Sequence, residues 1–142
     1  MKALGKFRKD ADLSVTGKVK SSAGTSYSGV IDLGPLDNLG LRNEDFLFSV
    51  YFPAATTTHF PANTSCTFEL QSSDSATFAS GVETWRTSKI TGGTAYSGLA
   101  FEFEPTQNAP RYWRVAATSA VTSSATIGST AANLEFGIDY LA

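Results

Sequence analysis

The sequence predicts an all-β fold, and three observations support this prediction. Apolar and polar residues alternate with a period of two along several short stretches, which is typical of strands with one face on a core and one in water. Charged residues make up only 17% of the 142 residues, while Thr, Ser and Ala are abundant. Clusters of Gly, Pro, Asn, Asp and Ser separate the alternating stretches. We therefore expect a sandwich, a jelly roll or a barrel.

Four stretches alternate most clearly, and each places its large apolar residues on one face. These residues are Phe46, Phe48, Val50 and Phe52; Cys66, Phe68 and Leu70; Leu99, Phe101 and Phe103; and Leu134, Phe136, Ile138 and Tyr140. Further strands are expected around residues 12–20, 26–33, 82–90, 110–118 and 120–127, which gives eight or nine in all. The best candidate for a helix is "PLDNLGLRNED", and Gly40 weakens it.

The chain has the length of one domain, and we expect a single domain over residues 1–142 with an extended basic arm over residues 1–12. Residues 1–20 hold six basic and two acidic residues, a net charge of +4, whereas residues 21–142 hold five basic and eleven acidic residues, a net charge of −6. The arm is either a solvated terminus or a segment that docks on an acidic partner or a neighbouring subunit. Its candidate contact residues are Lys2, Leu4, Lys6, Phe7, Arg8 and Lys9.

Residue types that carry catalysis or bind metals are few and scattered. His59, the single histidine, lies in a loop rich in Thr and Pro, and we expect it to be exposed. Cys66, the single cysteine, alternates with apolar residues and is expected to be buried and structural. Glu102 and Glu104 share a strand face, which keeps a glycosidase-like enzyme open as a rival interpretation. We expect no enzymatic activity, no metal and no cofactor.

The sequence also bears on partners and compartment. No apolar stretch approaches the length of a membrane span, and the N-terminal segment lacks the apolar region of a signal peptide. One cysteine allows no internal disulfide, which favours folding inside the cell. Basic residues do not combine with aromatic residues into a face for nucleic acid. We therefore expect neither a membrane nor a nucleic acid as a partner.

Four motifs occur in order along the chain: "GVIDLG" at 29–34, "ELQSSDSATFAS" at 69–80, "RYWRV" at 111–115 and "FGIDY" at 136–140. Together they resemble the small jelly-roll capsid cement, or decoration, proteins of tailed bacteriophages, of the type first associated with a Bordetella phage. The resemblance covers residues 13–142. The longer basic N-terminal arm and the loop 53–65 depart from the pattern of that family.

The resemblance implies a jelly-roll-like antiparallel β-sandwich of about eight strands. It also implies a virion structural protein that binds the outer surface of the major capsid shell, bridges neighbouring subunits and stabilises the shell. Its partners would be the major capsid protein and itself, as a homo-dimer or homo-trimer, on a particle assembled in the bacterial host cytoplasm. The alternative is a carbohydrate- or receptor-binding module of a phage particle, for which the candidate aromatic residues are Tyr27, Tyr51, Trp85 and Tyr96.

Two of the motifs suggest roles for particular side chains. We expect Asp74 to cap the turn after its strand by accepting a hydrogen bond from a backbone N–H two residues on. Phe78 is expected to turn back and close the open end of the sandwich. In "RYWRV", Trp113 points to the core with Val115, while the opposite face, with Tyr112 and Arg114, is either a polar outer surface or a contact with another subunit.

Overall fold

The computed structural model of the chain describes residues 10–42 and 46–141. These residues form two antiparallel sheets packed as a sandwich, so the predicted all-β class is confirmed. The strands in chain order are β1 (Asp10–Lys18), β2 (Gly24–Tyr27), β3 (Ile31–Asp32), β4 (Phe48–Phe52), β5 (Thr64–Ser73), β6 (Glu83–Thr91), β7 (Leu99–Phe103), β8 (Tyr112–Val121) and β9 (Glu135–Tyr140). Of the expected arm, residues 10–12 belong to β1, and residues 1–9 lie outside the described residues.

The order of the strands is that of a jelly roll. One sheet has the order β1-β9-β4-β7, and the other has the order β2-β8-β5-β6 with β3 also paired to β8. Consecutive strands lie in different sheets except at the β2–β3 step and the β5–β6 hairpin, which is how a jelly roll is wound. Because β2 and β3 both pair with β8, they act as two parts of one edge strand. The prediction of about eight strands is confirmed.

The connections between strands gather at two ends of the sandwich. Residues 33–42, 74–82 and 104–111 lie at what we call the distal end. Backbone hydrogen bonds join them there: the N–H of Leu33 donates to the carbonyl of Arg111 at 2.9 Å, and that of Arg42 to the carbonyl of Gln107 at 3.0 Å. Residues 19–23, 53–63, 92–98 and 122–134 lie at the opposite, proximal end.

The core between the sheets is built largely from aromatic rings. Phe52 and Phe68 stack across the sandwich with ring centroids 5.0 Å apart, and Phe68 also meets Phe136 at 5.9 Å. Nearer the distal end, Trp113 lies edge-on to Phe48, and its ring N–H donates to the carbonyl of Pro110 at 2.8 Å. All five rings are fully buried or nearly so. Each contributes about 1.5–3 kcal/mol of burial free energy, so these rings are a main source of the stabilisation of the sandwich.

The alternation predicted from the sequence matches the burial of the strands. In β4 and β5 every second residue is buried, and Val50, Cys66 and Leu70 are fully so. In β7 the apolar residues Phe101 and Phe103 pack on the core but stay half-exposed. This difference follows from position, because β7 is an edge strand with a neighbour on one side only.

The strand predicted around residues 26–33 is interrupted after Tyr27. The Ser28 hydroxyl oxygen accepts the backbone N–H of Val115 at 2.9 Å, while the N–H of Ser28 donates to the Val115 carbonyl at 2.9 Å. The Ser28 side chain therefore takes the place of a backbone carbonyl as the acceptor for Val115. Backbone pairing with β8 resumes only at Ile31. A local hydrogen bond from Ser to backbone competes with the sheet in this way.

The prediction of a strand around residues 120–127 is wrong. Strand β8 ends at Val121, and the chain then turns through Ser123 and Ser124, whose φ angles are 54° and 60°. The turn is closed by the N–H of Ala125, which donates to the carbonyl of Thr122 at 3.0 Å. Two successive left-handed residues cannot continue a strand. A short 3₁₀ helix, Ser129–Asn133, follows before β9.

Candidate interaction surface

The outer face of the β2-β8-β5-β6 sheet carries side chains that the sequence singled out. Along β8, Trp113 and Val115 are fully buried in the core, and the half-exposed Tyr112 and Arg114 alternate with them on the outer face. The predicted orientation of "RYWRV" is confirmed. Contact of Tyr112 and Arg114 with another subunit stays a prediction.

Arg114 lies between two aromatic rings on this face. Its guanidinium carbon is 3.8 Å from the ring centroid of Tyr27 and 3.9 Å from that of Phe78. Its Nε donates to Oε1 of Gln71 at 3.0 Å. Burial between the rings lowers the pKa of Arg114, but an arginine starts high enough to stay charged. We call Tyr27, Arg114 and Phe78 the arginine stack.

Phe78 is buried, as predicted, but its position differs from the prediction. The ring covers Arg114 outside the sheet and does not close the end of the sandwich between the sheets. The reason is its backbone: φ of Phe78 is 56°, and its N–H donates to the Ser75 carbonyl at 3.0 Å. This left-handed turn folds residues 74–80 over the outer face, where Arg114 offers a flat cation for the ring.

The turn after β5 is capped by Ser73, so the role predicted for Asp74 belongs to its neighbour. The Ser73 hydroxyl accepts the N–H of Ser75, two residues on, at 3.0 Å and donates to the carbonyl of Ser80 at 2.7 Å. Asp74 instead accepts the backbone N–H of Arg111 at 3.4 Å. It therefore connects two loops of the distal end.

A chain of polar contacts extends the arginine stack across the sheet. Gln71, which holds Arg114, donates from Nε2 to Glu69 at 3.4 Å. The other carboxylate oxygen of Glu69 accepts the hydroxyl hydrogen of Thr84 at 3.1 Å. These residues lie on β8, β5 and β6, so the contacts fix the relative positions of side chains on three adjacent strands.

Asp32 and Arg111 form a two-pronged ion pair beside the stack. Nε and Nη2 of Arg111 donate to the two carboxylate oxygens of Asp32 at 2.6 and 3.0 Å. The hydrogen bond from Arg111 holds the pKa of Asp32 below its usual value. The guanidinium carbon also lies 5.1 Å from the ring centroid of Tyr112. Sequence reasoning missed this pair, because 79 positions separate its members.

Residues 34–42, which we call the leucine loop, project from the distal end. The side chain of Leu39 is 83% exposed, and Leu36 and Leu41 are also exposed. The best sequence candidate for a helix, which Gly40 weakened, covers residues 35–45, and its described part, residues 35–42, folds into hydrogen-bonded turns. The sequence could have indicated this surface, because three leucines lie in a short loop with Gly and Pro at a spacing that fits neither a strand nor a helix.

The remaining candidate residues do not come together. Lys2, Leu4, Lys6, Phe7, Arg8 and Lys9 lie outside the described residues. His59 is half-buried rather than exposed, and its Nδ1 accepts the N–H of Thr56 at 3.0 Å. Cys66 is fully buried as predicted, and burial raises the pKa of its thiol to about 11. Glu102 on the edge strand β7 and Glu104, which follows the end of that strand, are both exposed.

The aromatic residues considered for sugar binding are also dispersed. Tyr27 belongs to the arginine stack, and the exposed Trp85 packs against Phe103 and Trp113 at the other edge of the same sheet. The hydroxyl group of Tyr96 pairs with Ser88 at 2.7 Å near the proximal end. Tyr51 lies on the outer face of the opposite sheet. These positions do not build one sugar-stacking platform.

A cleft of about 430 Å³ opens at the proximal end. The described residues that line it are small or uncharged and polar, with Lys89 as the one charged residue among them. They include Asn63, Ser65, Thr91 and Thr122. Within residues 10–42 and 46–141, His, Cys, Asp and Glu side chains form no group of three or more placed to hold a metal ion. The described part of the chain also contains no helix long and apolar enough to cross a membrane.

Comparison of the chain with sequence profiles of known families, with curated proteins and with solved structures finds no match. The surface is therefore interpreted from its own geometry. That geometry consists of an arginine held between two rings, an ion pair beside it and an apolar loop at the same end.

Proposed function

We propose that this chain is a virion structural protein, a capsid cement or decoration protein that binds the outer surface of a major capsid shell. It bridges neighbouring capsid subunits and has no enzymatic activity. The ordered motifs at 29–34, 69–80, 111–115 and 136–140, which resemble those of phage cement proteins, support the proposal together with the jelly-roll winding.

The observation that carries the proposal is the arginine stack. Tyr and Arg are enriched in the parts of protein interfaces that contribute most to affinity. Tyr27 is 49% exposed, so its ring is available to a partner, while the rings on both sides of Arg114 hold the guanidinium in place. A side chain that is already ordered loses little conformational entropy on binding. The stack therefore suits recognition of another protein surface.

Binding to the assembled shell would stabilise it by mass action. A ligand that binds only the assembled state shifts the assembly equilibrium toward that state. Association of the chain with itself, as a dimer or a trimer, would match the symmetry axes between capsid subunits. The particle would be assembled in the cytoplasm of a bacterial host, with this protein on its outside.

The test is binding to empty shells assembled from the major capsid protein of the same genome. We expect the purified protein to sediment with the shells in a saturable ratio and to raise their melting temperature. Arg114→Gln should weaken sedimentation. Arg86→Gln is the matched control, because Arg86 also lies over a ring, that of Phe101 at 4.7 Å, but on the edge strand β6.

Two results would contradict the proposal. The first is that the parent protein fails to sediment with the shells at any salt concentration while melting as a folded protein. The second is strong binding to a glycan on an array with no shell binding, which would favour the carbohydrate- or receptor-binding alternative. In that case Tyr27 and Trp85, the most exposed of the four candidate rings, would be the first residues to substitute.

A further inference from the structure

The leucine loop leaves and rejoins the sandwich at one point, which Arg42 holds together. The Arg42 side chain is only 6% exposed. Its Nε donates to the carbonyl of Gly34 at 3.2 Å, and its Nη1 donates to the carbonyl of Ala109. Its own backbone N–H donates to Gln107. The first and last residues of the loop are thus fastened to each other and to the connection between β7 and β8.

Inside the loop, Asp37 fixes the turn. Its Oδ1 accepts the N–H of Leu39 at 2.8 Å and that of Leu41 at 3.1 Å. Its backbone N–H donates to the Leu41 carbonyl at 2.7 Å, and its carbonyl accepts the N–H of Gly40 at 3.0 Å. Gly40 has a φ of 77°, which suits glycine. The turn is therefore defined by its own hydrogen bonds.

What this fixed turn presents to solvent is apolar. Leu39 has the largest exposed fraction of the large apolar side chains in the described part of the chain, at 83%. Leu36 and Leu41, at 42% and 38%, lie on either side of it in sequence. A loop that is ordered by polar bonds gains nothing in its own stability from an exposed leucine at its tip. Grouped apolar exposure of this kind marks a contact surface.

The charges around the loop restrict the partner. The Arg42 guanidinium is buried among carbonyls, so the charge beside the tip is that of Asp37, an exposed residue whose carboxylate accepts N–H groups of its own turn. Residues 21–142 carry a net charge of −6, which disfavours an anionic lipid surface or a nucleic acid. Three exposed leucines beside one carboxylate instead complement an apolar pocket on a protein.

We propose that the leucine loop is an attachment peg that inserts Leu39, flanked by Leu36 and Leu41, into an apolar pocket of a protein partner. The inference rests on the proposed function, under which that partner is the major capsid protein. Because the turn is already fixed, insertion requires little ordering of the chain, and the apolar contact contributes to affinity. Phe78 of the arginine stack lies in another loop of the same distal end, so both surfaces can face one partner.

The test compares Leu39 variants for binding to the same empty shells. Leu39→Ser should leave the melting temperature unchanged, because the side chain is exposed, and should weaken shell binding by about tenfold or more. Leu39→Met should bind like the parent, since it keeps an apolar side chain of similar volume at this position. The matched control is Val121→Ser, which removes another exposed apolar side chain from the last residue of β8, toward the proximal end.

The outcomes separate the two proposals. Equal shell binding by Leu39→Ser and by the parent overturns the peg and leaves the proposed function standing. Failure of the parent itself to bind shells overturns both. Vesicles of phosphatidylcholine, with and without phosphatidylserine, test the competing partner. Vesicle binding by the parent that Leu39→Ser abolishes would make the loop a membrane contact and overturn the protein-pocket assignment.

Discussion

Phe78 combines a buried ring with a backbone conformation that bulky residues rarely adopt. Its φ of 56° lies in the left-handed region, which costs a residue with a side chain about 1–2 kcal/mol. The ring is 7% exposed and lies 3.9 Å from the Arg114 guanidinium carbon. Burial of the ring and its contact with the cation together offset the strain. The backbone conformation of Phe78 thus destabilises the turn, while the tertiary contacts of its ring stabilise it.

This balance predicts the order of two variants at position 78. Phe78→Ala loses the ring but keeps the strain, and we expect the free energy of unfolding to fall by about 2–4 kcal/mol. Phe78→Gly also loses the ring but relieves the strain, and should be about 0.5–1 kcal/mol more stable than Phe78→Ala. Urea denaturation of the parent and both variants measures this. A glycine variant less stable than the alanine variant would show that the left-handed turn is not strained.

The raised pKa of the Tyr51 hydroxyl predicts that the protein loses stability in alkali. Burial, then the charges of Glu135 and Asp139, raise the pKa of Tyr51 to about 12, and its hydroxyl donates to Glu135 at 3.3 Å. In the unfolded chain a tyrosine ionises near pH 10. The raised pKa therefore stabilises the folded state fully below pH 10, and this stabilisation is lost as the pH rises through about 12.

The measurement is the melting temperature of the parent and of Tyr51→Phe from pH 8 to pH 12. We expect the parent to lose more stability than the variant above pH 10, because only the parent has this hydroxyl to ionise. An ultraviolet titration of phenolate absorbance should also lose the step near pH 12 in Tyr51→Phe. Parallel pH profiles for the two proteins would show that Tyr51 ionises normally.

At the scale of elements, the distal loops are held together by a few long-range polar contacts. The Asp32–Arg111 pair joins β3 to the connection between β7 and β8, and Asp74 joins the β5–β6 connection to the same segment. The pair is about half-exposed, so its contribution to the free energy of unfolding is small. Its position matters more than its strength, because Oδ1 of Asp32 also accepts the N–H of Gly34, the first residue of the leucine loop, at 2.8 Å.

The lowered pKa of Asp32 gives this contact a pH dependence. A depressed carboxyl pKa stabilises the folded state above the ordinary range near pH 4, and this stabilisation disappears as the pH falls through the folded-state pKa. Asp32→Asn should therefore melt slightly below the parent at pH 7, and the two melting temperatures should converge once the pH falls below the folded-state pKa of Asp32. A difference in melting temperature that persists unchanged down to pH 2 would assign the effect to packing instead.

Element boundaries show where sequence patterns stop being informative. The period-two alternation of "CTFELQ" predicted β5 and its buried face, because half-buried strands follow that pattern wherever they lie. The break at Ser28 was not predictable, since it depends on the hydroxyl reaching the N–H of Val115, 87 positions away. The end of β8 depended likewise on two serines adopting left-handed turns that their residue type does not require.

At the scale of the whole molecule, the sequence was sufficient to predict the fold, but it predicted the arginine stack only in part. Alternating strands and regular breakers define an all-β sandwich locally, and packing of the apolar faces does the rest. The arginine stack combines residues 27, 78 and 114, which only the jelly-roll winding brings together. The sequence identified Arg114 and Phe78 separately and placed Phe78 at the open end of the sandwich, because a strand pattern does not report how a loop folds back.

The distribution of charge over the whole chain leads to the last prediction. Residues 1–9 carry Lys2, Lys6, Arg8 and Lys9 and no acidic side chain, while residues 21–142 carry a net charge of −6. Contacts between these cations and an acidic partner would be screened by salt over about 8–10 Å. Because β1 begins at Asp10, deletion of residues 2–9 removes no described strand, and the truncated protein should keep the far-ultraviolet circular dichroism and the melting temperature of the parent.

We expect the truncation to weaken sedimentation with empty capsid shells and to reduce its dependence on salt, since fewer ion pairs form on binding. A salt series for the parent, the truncation and Leu39→Ser separates two kinds of contact. The loss of an apolar peg lowers affinity by a similar factor at every salt concentration, whereas the loss of the cations matters most at low salt. If the truncated protein binds with the affinity and salt dependence of the parent, the basic segment takes no part in attachment, which then depends on the leucine loop and the arginine stack.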